Sequence, residues 1–177
     1  MAIDIGESIQ ADTLTAKELT RNYPNAFVFS FTRNPFSRIS SCYFDKIVKR
    51  PELPVFFRKH GFYNRMDFSE FVEKIVVFSD DAIDIHLSSQ TRILSHKGHM
   101  LPKFIGRVEN IDKDWQCLLE LVRDQYGIQF PRMRQLNRYS HDRPTTRELF
   151  SDPHLIELVR ERYAADFENF YPGGDLP

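Results

Sequence analysis

Apolar positions along the chain fall into two kinds of pattern. Ala26 to Phe31, AFVFSF, is short, rich in β-forming residues and without a solvated face, as expected of a parallel strand covered on both sides. Lys103 to Val108, KFIGRV, predicts a second strand. Elsewhere the spacing is helical. Thr13 to Asn22 predicts a short helix with Thr13 or Thr15 as cap and Leu14 and Leu19 as its apolar contacts, ended by Tyr23-Pro24-Asn25. Asn34 and Pro35 supply an N-cap and a first-turn proline, and Ile39, Cys42, Tyr43 and Ile47 carry the pattern to about Arg50, before Pro51 and Pro54 break it. Asp67 with Glu70 predicts a capping-box start for a third helix, whose inner face is Phe68, Phe71, Val72, Ile75 and Val76. Residues 79–100 read as a loop region with a short helix at most. Asp112 to Tyr126 predicts a helix with Trp115, Leu118, Leu119 and Val122 inward and Gly127 as its stop. Residues 129–147 read as an arginine-rich loop. Asp152-Pro153 then opens a last helix with Leu155, Val159, Tyr163, Phe167 and Phe170 inward.

Strands alternating with helices argue for an α/β layer fold around a small parallel sheet. A chain of 177 residues fits one domain, so the expected organisation is a loose segment over 1–12, a single domain over 13–171 and a tail over 172–177. Sixteen phenylalanines predict a heavily aromatic core. The charges, 24 basic against 25 acidic, argue against a protein whose main business is coating nucleic acid. Cys42 and Cys117 both sit inside apolar helical patterns and read as buried free thiols, which suits a reducing compartment. No apolar run approaches the roughly 20 residues of a membrane span. MAIDIGESIQADT has neither the basic head nor the apolar stretch of a signal peptide, and the expected location is cytoplasmic.

The chemistry concentrates where the first strand ends, in FSFTRNPFSRISSCY. A helix N-terminus offers unpaired N–H groups and the positive end of the helix dipole, so an anion there is stabilised before any side chain acts. Arg33 adds a planar fork suited to phosphate, and Ser41, two turns in, has a hydroxyl able to reach back. Arg38 reads equally as a ligand or as the partner of an acid such as Asp45 or Glu109, and Arg107 as one half of a buried ion pair. His86 is the candidate general base, because histidine titrates near neutrality. His96 and His99 have no nearby cysteine or supporting acid, so no metal site is predicted. Arginines 132, 134, 138, 143 and 147 form a basic stretch, suited to an acidic glycan or nucleotide or to balancing the acids of the last helix.

Arg33-Asn34-Pro35, Arg38, Ser41 and Tyr43 follow the order R-[DN]-P-x-x-R-x-x-S-x-Y. This resembles the 3′-phosphate-binding segment of the carbohydrate sulfotransferases that use PAPS (3′-phosphoadenosine-5′-phosphosulfate). Phe104 to Asn110, FIGRVEN, with Asp112-Lys113-Asp114 behind it, resembles the F-I-G-R-x-E block of that family. Leu158 to Phe170 resembles its closing helix, Asn137-Arg138-Tyr139-Ser140 stands in the place of its N-x-S loop, and Asp84-x-His86 with Gln90 resembles a D-x-H…Q element. The resemblance spans Thr13 to Tyr171. It implies a P-loop-NTPase-like α/β fold with a small parallel sheet flanked by helices, PAPS as donor, a sugar hydroxyl as acceptor and no metal. Arg33 and Ser41 would hold the 3′-phosphate, and Arg138 and Ser140 would close over the nucleotide.

Members of that family place, ahead of this strand, another strand and a K-x-G-[ST] loop that wraps the 5′-phosphosulfate. Here Gly6 is the only glycine before Gly61, no lysine precedes Lys17, and Glu7 would repel a phosphosulfate. The expectation is therefore a chain lacking the N-terminal strand-loop-helix: a fragment, a misplaced start or a degenerate relative. A sheet without its first strand would leave an edge or apolar patch that favours a homo-oligomer or poor solubility. Two functions follow from the resemblance. One is a PAPS-dependent sulfotransferase acting on a glycan, and the other a non-catalytic module that keeps a nucleotide, glycan or partner surface.

Overall fold

The computed structural model describes residues 13–129 and 143–177. They form two compact units, one from residues 13–32 and 96–129 and the other from 33–95 and 143–177. In chain order the elements are α1 (Ala16–Asn22), β1 (Phe29–Thr32), α2 (Pro35–Tyr43), a π-helical turn (Phe44–Val48), α3 (Val55–Lys59), α4 (Phe68–Val76), α5 (Gln90–Leu94), β2 (Ser95–His96), β3 (His99–Met100), β4 (Phe104–Arg107), a 3-10 turn (Val108–Asn110), α6 (Ile111–Tyr126), α7 (Thr146–Leu149), α8 (Pro153–Arg162) and α9 (Ala164–Phe170). Among the described residues no helix is long and apolar enough to cross a membrane.

In the first unit the two expected strands pair in parallel, Phe29 opposite Phe104 and Phe31 opposite Gly106. Alternation along β1 sends Phe29 and Phe31 to one face, where with Phe104 and, just ahead of the strand, Phe27 they pack on Trp115, Leu118 and Val122 of α6. Gly106 is required by space: a Cβ there would stand 2.3 Å from Cε1 of Phe31, whose ring lies over the glycine. The α6 boundaries follow sequence chemistry, with Asp112 and Asp114 in its first turn and Gly127 ending it in the left-handed region at φ 68°. Thr15, not Thr13, caps α1, through a reciprocal capping box with Glu18.

The second unit is helical and aromatic. Here α4 packs on α8 and α2, α2 on α7, and α5 on α9. Phe36, Phe68 and Tyr43 extend one edge-to-face chain: Phe36 to Phe150 at 5.0 Å, Phe150 to Phe68 at 4.9 Å, and Phe68 to Tyr43 at 5.1 Å. The Tyr43 hydroxyl, buried with its ring, donates to the Met66 carbonyl at 2.7 Å.

Several elements depart from expectation. The helix predicted to Arg50 stops being α-helical at Tyr43 and finishes as a π turn, with the Lys49 N–H donating to the Phe44 carbonyl. Apolar spacing over five residues cannot separate these two helical periods. Pro54 does not merely break a helix but precedes a new one, α3. Asp67 starts α4 without a side-chain cap, and Glu70 accepts from the Tyr63 hydroxyl rather than closing a capping box. The 79–100 region contains α5 and a small hairpin turned by Lys97 and Gly98, both at positive φ. The last helix is two: Tyr163 leaves helical geometry between α8 and α9, yet all five predicted inner residues are buried. Cys42 is buried and Cys117 exposed, so the expectation of two buried thiols holds for one.

Candidate functional site

Thr32 ends β1 and Asn34 caps α2, so Arg33 is the single residue between the strand and the helix cap. The Asn34 side chain accepts from the Phe36 N–H at 3.0 Å, as an N-cap should. Its amide nitrogen donates to the Asp175 carbonyl at 3.0 Å. Arg160 and Arg147 donate to the neighbouring carbonyls of Gly174 and Leu176, so three side chains hold three successive tail residues.

Arg33 is half-buried and held by its own backbone. Its N–H donates to Oε1 of Gln90 at 2.8 Å, and its carbonyl accepts from Nε2 of the same side chain at 2.8 Å. The Gln90 N–H in turn donates to Oδ2 of Asp166 at 2.8 Å, and the Thr91 N–H and hydroxyl donate to Oδ1 at 2.7 and 2.8 Å. Asp166 is wholly buried. Beside it, Asp80 accepts from the Ser89 amide and hydroxyl and from Arg162. Burial raises the Asp80 carboxyl, but the Ser89 hydrogen bonds and the Arg162 guanidinium outweigh it and hold it below the usual range.

Among the described residues Arg38 forms no ion pair with an acid. It donates to the carbonyls of Ser88 at 2.6 Å and Ile85 at 3.0 Å, while Asp45 pairs with Lys46 at 2.7 Å. Burial lowers the Arg38 guanidinium, opposed by nearby Tyr163 and Asp166. The Leu87 carbonyl between those two acceptors takes the buried Tyr163 hydroxyl at 2.7 Å. Residues 84–90 are thus clamped from α2 and from the end of α8, which joins two motifs that are distant in sequence.

His86 is exposed, with Nδ1 2.7 Å from Oδ1 of Asp84, an oxygen that also accepts the His86 backbone N–H at 2.9 Å. A carboxylate on Nδ1 fixes the tautomer and leaves Nε2 as the basic nitrogen. Ser41 is half-buried on α2, and Ser37, which sequence reasoning passed over, lies one turn earlier on the same face. The i, i+4 spacing of Ser37 and Ser41 was the available signal. Arg107 stands exposed at the end of β4, with its N–H on Asp114 at 2.7 Å, rather than in a buried pair. Arg138 and Ser140, with Arg132 and Arg134, lie outside the described residues. Arg143 stacks over the Phe44 ring at 5.2 Å.

What these residues define is an α/β protein that delivers a backbone-locked arginine to a helix N-terminus and, elsewhere on the same unit, carries an aspartate-oriented histidine. The sequence model of the sulfotransferase family matches residues 6–172, and the chain belongs to that family. Comparison with curated proteins and with solved structures gives no match. Membership makes sulfuryl transfer the general chemistry and implies a sulfate donor and an acceptor.

Proposed function

We propose that the chain transfers a sulfuryl group from PAPS to a hydroxyl of a carbohydrate, with residues 13–171 acting as one domain. The family match over residues 6–172 carries this reading. The start of α2 supports it, because Arg33, the helix dipole and the Ser37–Ser41 face together suit a nucleotide 3′-phosphate. Arg33 and Ser41 bind that phosphate, and Arg138 and Ser140 close over the nucleotide. In the transfer step the acceptor oxygen bonds to sulfur as the bond from sulfur to the 5′-phosphate oxygen breaks. The acceptor proton passes to a base, for which Nε2 of His86, oriented through Nδ1 by Asp84, is the candidate. Cations near the departing bisphosphate stabilise the charge that builds there.

Calorimetric titration with adenosine 3′,5′-bisphosphate tests the donor site. Binding near 1 μM, about −8 kcal/mol, is expected, and Arg33→Ala should weaken it by about tenfold or more. Affinity unchanged in both Arg33→Ala and Ser41→Ala refutes the site. Normal binding without sulfuryl transfer from labelled PAPS to any of a panel of glycans points instead to a non-catalytic module.

A further inference from the structure

We infer that Gln90 is a positioning residue for the donor nucleotide, setting the direction in which Arg33 presents its guanidinium; the inference rests on reading Arg33 as a phosphate ligand. Arg33 belongs to neither neighbouring element, so strand and helix both leave its peptide groups to be satisfied by something else. A primary carboxamide carries a donor and an acceptor in one plane. Gln90 uses both on the same residue, at 2.8 Å each, as an adjoining strand would. With N–H and carbonyl both fixed, the Cα–Cβ direction of Arg33 is fixed, so no backbone freedom at Arg33 has to be given up when an anion is bound.

Gln90 is itself over-determined. It is 7% exposed, its N–H is on Asp166, and its Nε2 lies 3.4 Å from the same carboxylate oxygen. Ser89 caps α5 by accepting the Arg92 N–H at 3.2 Å, and Asp166 takes the two first-turn amides that this cap leaves over, those of Gln90 and Thr91. The buried carboxylate thus completes the start of the helix and fixes the Gln90 backbone from which the side chain reaches Arg33.

The test compares two nucleotides on the full chain, adenosine 3′,5′-bisphosphate and adenosine 5′-monophosphate, for wild type and Gln90→Leu. If Gln90 acts through Arg33 on the 3′-phosphate, Gln90→Leu weakens the bisphosphate about tenfold and leaves the monophosphate within about twofold. Equal loss for both nucleotides, or loss for neither, overturns the inference and leaves the reading of Arg33 standing. A wild type that does not distinguish the two nucleotides overturns the reading of Arg33 and the inference with it. Should Gln90→Leu fail to fold, Gln90→Glu, which keeps the length and the acceptor but loses the donor, serves in the same comparison. Hydrogen exchange at the Arg33 N–H gives a ligand-free check: it should speed up in Gln90→Leu, which removes its acceptor, while the Phe36 N–H, held by Asn34, stays protected. Unchanged exchange at Arg33 also overturns the inference.

Discussion

Replacing Asp166 by asparagine keeps the shape of a wholly buried carboxylate and removes one acceptor from a place that needs two. One oxygen takes the Thr91 N–H and hydroxyl at 2.7 and 2.8 Å, and the other takes the Gln90 N–H at 2.8 Å with Nε2 farther off at 3.4 Å. The asparagine carbonyl can face only one set. Turned towards Gln90, it leaves its NH2 to donate to the Thr91 hydroxyl oxygen, but the Thr91 N–H then faces a donor. The loss is one charge-assisted hydrogen bond and one buried N–H without an acceptor, together about 2–5 kcal/mol. That is a large part of a total stability of about 5–15 kcal/mol. Urea unfolding followed by far-UV circular dichroism should show the midpoint falling with an unchanged slope. A loss below about 1 kcal/mol would refute the reasoning, since it would mean that the desolvation cost of the carboxylate cancels what its donors return.

Gly106→Ala should destabilise the first unit by about 1–3 kcal/mol, because the new methyl displaces the Phe31 ring. Trp115, the only tryptophan and 6.0 Å from that ring, should report the shift in its emission, and an unshifted spectrum would count against the packing. Asp80 is held below the ordinary carboxylate range, so its contribution is complete above about pH 4 and lost as pH falls through its lower folded value. The unfolding midpoint of wild type should accordingly drop more between about pH 5 and about pH 3 than that of Asp80→Asn, and parallel curves would contradict the assignment. Cys42 is buried with its thiol pushed up to about 12, chiefly by burial, whereas Cys117 is exposed. An alkylating reagent should therefore modify Cys117 alone in the native chain and both thiols in denaturant.

Features written in short range were legible. Asn34 with Pro35 and Gly127 each mark a boundary through chemistry confined to one turn, and each boundary stands where its residues place it; at α1 the choice between Thr13 and Thr15 stayed open, although Glu18, three residues after Thr15, pointed to Thr15. The same kind of signal was present at Thr145 and Glu148, whose reciprocal capping box starts α7 inside what reads as an arginine-rich loop. The break at Tyr163 was not legible, because Leu155, Val159, Tyr163 and Phe167 keep helical spacing straight through it. For the site, sequence order singled out Arg33, Ser41 and His86 but not what holds them. The partner of the Arg33 backbone is 57 residues away, and the acid behind that partner a further 76. The carbonyls that occupy Arg38 carry no side-chain signature at all.

Those separations also govern when the site can exist during synthesis. A ribosome adding about 5–20 residues per second releases β1 and the arginine many seconds before α9 carries Asp166 out. Until then Gln90 lacks the carboxylate that turns it, and Arg33 has only a loose peptide behind it. On the proposed reading of Arg33 and Ser41, an abandoned chain ending before α9 would contain both proposed 3′-phosphate ligands and still be a poor trap for nucleotide. If that reading holds, donor capture becomes a property of finished molecules, a form of proofreading supplied by chain length alone.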